Sequence, residues 1–261
     1  WSHNVIDLHA HLLPGVDDGP DTLEQSLELC RLAASSGTTH AICTPHIHPG
    51  RWENTRKSIQ VKFAKLQRAV AQQCIPLHLG FAAEVRLTDE IITQITNNQI
   101  PFYGEVDGYE IMLLEFPHSH IIPGSDKLVQ WLMNRKIRPL IAHPERNKQV
   151  MKDPALLQPF IDADCWLQVT AGSIIGAFGD GAQTIARQLL DDDAITVIAS
   201  DGHNEKARPP VLKEAFTHTS EVYGVERAHR LMQSTPASII SSQFHGQSLV
   251  PLTPFDSVVF E

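Results

Sequence analysis

The sequence lacks an apolar run of 18 residues, the length expected of a helix that crosses a membrane. Its first residues, WSHNVIDL, contain neither the basic region nor the apolar core of a secretory signal. Cysteine is scarce, and no Cys-x-x-Cys pair occurs among Cys30, Cys43, Cys74 and Cys165. We therefore expect a cytoplasmic protein with reduced thiols and no direct insertion into a membrane.

Positive charge is also scarce. Lysine and arginine number 21 against 30 aspartates and glutamates, and the formal net charge is −9. A nucleic-acid-binding surface needs a basic face, so this composition argues against DNA or RNA as a partner. No glycine-rich turn of the dinucleotide-binding type follows any predicted strand, which argues against an open doubly wound sheet.

Short β-rich runs alternate with segments of helical periodicity along the chain. This alternation predicts an α/β protein with a parallel sheet, and a closed or distorted barrel fits better than a doubly wound sheet. Because no linker or low-complexity segment interrupts the pattern, we expect a single domain over residues 1–261. The predicted strands are Val5–Leu8, His40–Thr44, Leu77–Phe81, Glu110–Leu114, Arg138–Ala142, Trp166–Thr170 and Thr196–Ala199.

Helical periodicity is clearest in Thr22–Gly37 and in Asn54–Gln73, where apolar residues recur at spacings of three and four. Thr88 is the expected N-cap of another helix, and a further helix is predicted over Arg208–Val222. The tail after Ser241 has no clear periodicity and receives no assignment.

Side chains able to bind metal follow six of the seven predicted strands. His9 and His11 stand at the end of the first, and they should project side by side because alternate strand residues point to one face. The carboxyl ends of parallel strands meet on one face of a barrel, so residues far apart in sequence should converge there. The other candidates are Asp17, Asp18, His46, His48, Glu84, Glu115, His143, Glu145, Asp201 and His203.

Each candidate taken alone has an ordinary explanation. Glu84 and Glu115 could be strand-end acids that face water, and Asp201 could cap a following helix. Their joint occurrence favours a metal site instead. Imidazoles and carboxylates without cysteine suit Mn²⁺, Fe, Zn²⁺ or Co²⁺. The candidates outnumber what two ions need, so we expect three ions if one carboxylate bridges.

Taken in order, the stretches HAHLLPGVDDG, TPHIHPG, AAEVRL, LLEFP, IAHPERN and SDGHNEKARPP resemble the motifs of the PHP (polymerase and histidinol phosphatase) superfamily. They are most similar to those of its bacterial metal-dependent protein-tyrosine phosphatases of capsule and exopolysaccharide biosynthesis, the CpsB type. The resemblance covers about residues 5 to 210. It implies a distorted barrel of seven strands of the PHP type, with the metal ions at the carboxyl ends of the strands.

The resemblance also implies a role for each site residue. The first metal site takes His9, His11, Glu84 and Asp201, the second shares Glu84 and adds Glu115 and His143, and the third takes Asp18, His46 and His203. Motif alignment favours Asp18 over Asp17 as a ligand and leaves His48 outside the ligand set. Arg146 and Arg208 match the catalytic arginines that bind phosphate, a role that suits a guanidinium fork.

The activity implied by the resemblance is hydrolysis of phosphotyrosine by a metal-activated hydroxide at a trinuclear site, with Mn²⁺ as the first expectation for the three divalent ions. The implied partner is a phosphotyrosine-bearing protein, namely the tyrosine-rich tail of a membrane-associated bacterial kinase that controls capsule or exopolysaccharide synthesis. Cysteine-dependent phosphatase chemistry is not supported, since no cysteine is followed six residues later by arginine.

Three other interpretations are open at this point. The first is a phosphatase of a small metabolite such as histidinol phosphate, which would use the same metals. The second is a nuclease or proofreading domain of the same superfamily, against which the acidic composition argues. The third is a catalytically silent metal-binding regulator. The presence of every matched ligand argues against it. The oligomeric state is not predicted.

Overall fold

The computed structural model describes residues 4–244. The tail beyond residue 244, which received no assignment from the sequence, lies outside the described residues, as do both ends of the predicted domain 1–261. No helix within residues 4–244 is long and apolar enough to cross a membrane.

Strands and helices alternate along the described chain. The strands are β1 (Val5–Ala10), β2 (Thr38–Cys43), β3 (His46–Ile47), β4 (His78–Phe81), β5 (Glu84–Arg86), β6 (Glu105–Val106), β7 (Tyr109–Glu115), β8 (Ile137–Ala142), β9 (Trp166–Thr170) and β10 (Val197–Ala199). The α-helices are α1 (Leu23–Ser35), α2 (Arg56–Gln72), α3 (Ile91–Thr96), α4 (Ser125–Asn134), α5 (Gln158–Asp162), α6 (Ala171–Ile174), α7 (Asp180–Asp191), α8 (Lys213–Tyr223), α9 (Val225–His229) and α10 (Thr235–Ile240). Each of the seven predicted strands overlaps an observed one.

The strands form two sheets that are parallel except for one short hairpin. One sheet has the order β1-β2-β4, and the other has the order β10-β9-β8-β7-β5-β3, with β6 antiparallel to β7. The two sheets are connected through the chain, because β3 follows β2 and β5 follows β4 after two residues each. They also meet at the other edge, where the backbone N–H of Asp201 donates to His9 at 2.7 Å and that of His11 donates to Gly202 at 2.8 Å. The fold is therefore a mixed α/β fold with parallel sheets, as predicted.

Two helix boundaries differ from the prediction. Thr88 does not cap α3, because the helix begins at Ile91 after Glu90, and no side chain caps it. The predicted helix over Arg208–Val222 begins only at Lys213. Two consecutive prolines follow Arg208, and proline disfavours helical geometry in the residue before it. The expected start of α1 is confirmed, since Thr22 forms a capping box with Gln25.

Buried apolar side chains form two clusters on opposite faces of the strands. Along β7, Met112 and Leu114 belong to the larger cluster, whereas Ile111 and Leu113 belong to the smaller one. The larger cluster also contains the buried faces of α1, α2, α4, α7 and α8, while the smaller one contains side chains of α10. Because both faces of the strands are buried, their sequences are nearly continuous apolar runs.

Tyr103 connects the smaller cluster to the first strand. Its side chain is fully buried, and its hydroxyl donates to the carbonyl oxygen of Leu8 at 2.7 Å. We expect Tyr103→Phe to lower the free energy of unfolding by about 1 kcal/mol, because a buried hydrogen bond is lost. Tyr223→Phe, which removes a surface hydrogen bond to Asp191, should cost less than about 0.5 kcal/mol. Chemical denaturation of both variants tests this, and equal losses would contradict it.

Candidate metal and phosphate site

The nine predicted ligand residues come from β1, β3, β5 and β7 and from the loops that follow β1, β8 and β10. The structure brings all nine together in three overlapping groups, and within each group one ligand atom per residue lies within 4.8 Å of the others. The groups are His11, Asp18, His46 and His203; His9, Glu84, His143 and Asp201; and His46, Glu84 and Glu115. Residues separated by almost 200 positions in the sequence therefore meet at one place.

Four ligand atoms have nearly the spacing of a tetrahedral metal site. His9 Nε2 lies 3.2 Å from His11 Nε2, 3.3 Å from Glu84 Oε2 and 3.2 Å from Asp201 Oδ1. His11 Nε2 lies 3.2 Å from Glu84 Oε2 and 3.4 Å from Asp201 Oδ1. Ligands about 2.1 Å from a tetrahedral ion are about 3.4 Å apart, so this set can surround one cation.

The remaining ligands flank this set on two sides. Asp18 Oδ1 lies 3.3 Å from both His46 Nε2 and His203 Nε2. Glu84 Oε1, the second oxygen of the central carboxylate, lies 2.7 Å from His143 Nε2. Glu115 Oε2 lies 3.7 Å from His46 Nδ1 and is grouped with that ring rather than with His143, which differs from the grouping implied by the resemblance.

Three of the histidine rings are held by an oxygen on the side away from the site. His9 Nδ1 lies 2.8 Å from Gln168 Oε1, His11 Nδ1 lies 2.8 Å from Asp17 Oδ2, and His203 Nδ1 lies 2.8 Å from the carbonyl oxygen of Asp201. An oxygen at Nδ1 holds one ring proton there, so that Nε2 faces the cluster and can bind a metal when it carries no proton of its own. Gln168 was not anticipated, although a polar residue inside the buried strand WLQVT is a signal that could have identified it.

His46 is held differently. The indole ring of Trp52 stacks on its imidazole, with the ring centroids 4.7 Å apart and the planes 5° from parallel. Trp52 is itself fixed by backbone hydrogen bonds with His48 and lies under the guanidinium of Arg51. His48 belongs to none of the three groups, in agreement with its exclusion from the ligand set.

Two of the predicted ligands have left-handed backbones at the point where a strand ends. His143 has φ +33° directly after β8, and Asp201 has φ +53° just beyond β10. This conformation is uncommon outside glycine, although aspartate and histidine tolerate it better than most residues. Such non-glycine conformations persist only where the surrounding contacts compensate for them, and they concentrate at functional sites.

The pKa values of the buried carboxylates are shifted in opposite directions. Burial opposes the ionisation of Glu84 and Asp201, but neighbouring histidines, and Arg146 in the case of Asp201, hold both pKa values well below their usual range. Burial and the negative charge of Glu84 raise the pKa of Glu115 well above its usual range. Glu115 therefore needs a further positive charge beside it in order to ionise.

Two of the histidines are kept neutral. Burial, together with the positive charge of Arg146, lowers the pKa of His143 to about 4. Burial and the adjacent His11 lower the pKa of His203 to about 4. Both imidazoles therefore have a free lone pair at neutral pH, as a metal ligand must.

Several buried atoms of the cluster form no hydrogen bond with any residue between 4 and 244. They are His46 Nδ1, Glu84 Oε2, Glu115 Oε2, Asp201 Oδ1 and His203 Nε2. Leaving a polar atom buried and unpaired costs about 1–3 kcal/mol, and more when it is charged. Divalent cations would satisfy these atoms, and the donor set contains only imidazole and carboxylate, so the residues present fit such ions.

Both predicted phosphate-binding arginines lie beside the cluster. Arg146 and Arg208 donate to the same oxygen, Oδ2 of Asp201, with Arg208 at 2.5 Å. The other oxygen of Asp201 faces the histidines. One carboxylate thus connects the two guanidinium groups to the ligand cluster.

The loop after β10 returns Arg208 to the site. Asn204 Oδ1 accepts the backbone N–H groups of Lys206, Ala207 and Arg208, and the N–H of His203 donates to the Arg208 carbonyl at 2.7 Å. This closed turn explains how Arg208 and Asp201 meet although they are seven positions apart. Asn204 was not singled out from the sequence, because an asparagine in a polar loop is unremarkable in itself.

A further arginine was missed in the sequence. Arg86 donates to the carbonyl oxygen of Phe116 at 3.0 Å and lies 3.0 Å from Glu115 Oε1. Its place in AAEVRL, two residues after the predicted ligand Glu84, was the available signal. Arg86 partly compensates the charge of Glu115 when that carboxyl ionises.

The cysteines are unsuited to nucleophilic chemistry. Burial raises the pKa of Cys30 and of Cys165 to about 12, and it raises that of Cys43 well above the usual value. Cys74 is exposed and belongs to none of the three ligand groups. The reactive form of cysteine is the thiolate, so none of the buried thiols is available as a nucleophile near neutral pH.

The cluster opens into a cavity of about 440 Å³. The wall includes Asp18 and His203 from the ligand set, together with Asp21, Asn204 and Lys206. A substrate can therefore reach the ligand cluster from solvent on the side of Asp18, whose side chain is 40% exposed.

Asp17 supports the site without being in a ligand group. Besides His11, its carboxylate accepts the backbone N–H groups of His46 and Gly19, each at 3.0 Å. We expect Asp17→Asn to weaken metal binding about 10- to 100-fold, because the ring of His11 loses its charged partner. The matched control is Asp21→Asn, which changes an exposed carboxylate of the same turn. Competition with a chromophoric chelator measures both, and equal affinities would refute the orienting role of Asp17.

Comparison with known proteins is consistent with this geometry. The family model described as "Capsular polysaccharide synthesis, CpsB/CapC" matches residues 5–241. The CapC protein of Staphylococcus aureus is 33% identical over 212 residues, which is 81% of this chain and 82% of that protein. One similar solved structure comes from a study of YwqE from Bacillus subtilis and CpsB from Streptococcus pneumoniae, which are described as unique metal-dependent tyrosine phosphatases. It matches with a TM-score of 0.80 and 30% sequence identity, over 86% of this chain and 90% of the matched chain.

A more distant likeness concerns the fold alone. The phosphotriesterase homology protein from Escherichia coli matches with a TM-score of 0.55 at 11% identity, over 91% of this chain and 98% of that chain. The α/β fold with parallel sheets is thus similar to that of hydrolases of the TIM-barrel type.

Proposed function

The chain belongs to the CpsB/CapC family of capsular polysaccharide synthesis, and we propose that it is a metal-dependent protein-tyrosine phosphatase, a phosphoric monoester hydrolase. The observation that carries this proposal is that nine imidazole and carboxylate side chains meet in one cluster, and that two arginines bind one of these carboxylates, Asp201. Cations and guanidinium groups side by side are suited to binding a phosphate dianion.

We further propose that the strands form a distorted seven-membered barrel. This count treats β2 and β3 as one strand that is interrupted by two residues, and it treats β4 and β5 in the same way. The backbone hydrogen bonds between residues 9–11, at the end of β1, and residues 201–202 support closure of the ring at its other edge. A parallel barrel collects the carboxyl ends of its strands on one face, which is the usual place for an active site.

The proposed metal content is three divalent ions, with Mn²⁺ as the first expectation and Fe, Zn²⁺ or Co²⁺ as alternatives. The first ion would be held by His9, His11, Glu84 and Asp201, the second by Glu84, Glu115 and His143, and the third by Asp18, His46 and His203. The short distances from His9 and His11 to Glu84 Oε2 support the first set. The other oxygen of Glu84, Oε1, lies beside His143 of the second set, which supports Glu84 as the bridging ligand.

Arg146 and Arg208 would hold the phosphate oxygens that the ions leave free. Both side chains are partly exposed at the edge of the cluster, and both are oriented by Asp201. When bound, divalent ions supply a nucleophile near neutral pH by lowering the pKa of water. A phenol is a better leaving group than an alkanol, so little general-acid assistance from the protein is needed for phosphotyrosine.

For the physiological substrate we propose the tyrosine-rich tail of a membrane-associated bacterial tyrosine kinase, encountered in the cytoplasm. The description of the family in terms of capsular polysaccharide synthesis supports this choice, and so does the naming of its relatives as tyrosine phosphatases. The open cavity beside Asp18 leaves room for the peptide on either side of the phosphorylated residue.

The proposal is tested by turnover of a phosphotyrosyl peptide. Chelation should abolish activity and Mn²⁺ should restore it. Arg208→Ala should reduce kcat/KM about 100-fold, because one donor to the transferring phosphate is lost. The control is Arg187→Ala, which changes an exposed arginine of α7 and should leave turnover unaltered.

The same assay separates the rival functions. Turnover of histidinol phosphate without turnover of the peptide would assign the protein to small-metabolite chemistry. Bound metal without turnover of either substrate would indicate a regulator rather than an enzyme.

Thiol modification gives an independent check on the chemistry. Treatment with iodoacetamide at neutral pH should alkylate the exposed Cys74 and leave peptide turnover within about 20% of the untreated value, because the high pKa values of the buried thiols keep them unreactive. Mass spectrometry identifies the modified residue. Loss of activity in proportion to alkylation would contradict the metal-based assignment.

A further inference from the structure

We propose that Phe178 is a specificity-determining residue, which forms the surface against which the aromatic ring of phosphotyrosine packs and so favours aryl over alkyl phosphate esters. The inference rests on the proposed phosphatase function. It concerns a side chain that the sequence motifs do not include and that lies outside the ligand groups.

The first observation is the contact between Phe178 and a phosphate-binding arginine. The guanidinium carbon of Arg146 lies 4.4 Å from the centroid of the Phe178 ring, a favourable cation–π distance. Arg146 is also held by Asp201, so the orientation of its guanidinium is set by an aromatic ring and a carboxylate together. Phe178 is only partly buried, which leaves part of its ring available to a ligand.

The second observation is that the loop carrying Phe178 is built to hold the ring in place. Gly176 and Gly179 both have φ +85°, a conformation that favours glycine. The N–H of Ala177 donates to the carbonyl of Gly172 at 2.8 Å. A Cβ on Gly172 would lie 2.7 and 3.1 Å from atoms of the Phe178 ring, so the ring rests where only a glycine allows it.

A buried glutamate ties this loop to the turn that carries Arg146. Glu145 immediately precedes Arg146 and is fully buried. Its Oε1 accepts the backbone N–H of Thr170 at 2.9 Å and the hydroxyl of Ser173 at 2.7 Å, at the start of the segment that leads to Phe178. The relative position of Arg146 and Phe178 is therefore fixed before any substrate binds.

This arrangement has a consequence for the ester group. A phosphate held by the remaining N–H groups of Arg146 places its substituent near Phe178, and a phenyl group there can form an offset or edge-to-face contact. Such aromatic pairs favour binding by about 2- to 10-fold. An alkyl substituent or a bare phosphate gains no comparable contact, so the ring selects among phosphate esters without touching the reacting atoms.

The test compares two anions, one of which carries a phenyl ring in place of one oxygen of the other. Phenylphosphonate and inorganic phosphate are titrated calorimetrically into the Mn²⁺-loaded full-length chain, as wild type and as Phe178→Leu. We expect the Kd of phenylphosphonate to rise about 2- to 10-fold in the variant, with that of phosphate unchanged within about 2-fold. Phe178→Tyr should retain wild-type affinity for both. Ile175→Ala, at an exposed position of the same loop, is the matched control.

Steady-state kinetics adds a second measurement. With a phosphotyrosyl peptide, Phe178→Leu should raise KM while kcat stays near the wild-type value. Equal weakening of both anions would show that Phe178 only positions Arg146 and would overturn its role in specificity, as would no change in either. A wild-type protein that binds both anions but hydrolyses no phosphotyrosine would instead overturn the proposed function itself.

Discussion

The site depends on the contacts between the carboxylate of Glu84 and the histidines around it. One of its oxygens lies within 3.3 Å of a ring nitrogen of His9, His11 and His46, and the other lies 2.7 Å from His143. The side chain is fully buried, so it has no water to balance its charge. The charges around it hold its pKa low against the effect of burial, and an ionised carboxylate at this depth requires cations.

The fold supplies this arrangement by the way its strands end. The strands bring His9, Glu84 and Glu115 into one cluster, and the left-handed turns after β8 and β10 place His143 and Asp201 beside them. The apolar clusters on both faces of the strands hold the backbone in place. Their packing offsets the free-energy cost of burying the charged groups of the site. Apolar packing residues thus occupy the middle of these strands, and the candidate ligands lie at or just beyond their ends.

The sequence was most informative where a residue type is rare in its setting. Histidines and acids at the ends of apolar runs predicted the ligand cluster, and all nine residues meet in the structure. The short strands β3 and β5 were not predicted, because two or three residues carry no periodicity. Gln168, Asn204 and Trp52 were also missed, since the contacts they make depend on residues distant in the chain or on loop geometry. Such supporting residues are common types, and only the folded structure shows what they touch.

The most direct test of the account is the metal content of Glu84→Gln measured by mass spectrometry of the bound elements. Because Glu84 is placed between the proposed first and second sites and beside His46, we predict three ions per wild-type chain and at most one in the variant. Glu110→Gln, which changes an exposed glutamate at the opposite end of β7, should retain all three. Retention of the full metal content by Glu84→Gln would contradict the central role of this carboxylate.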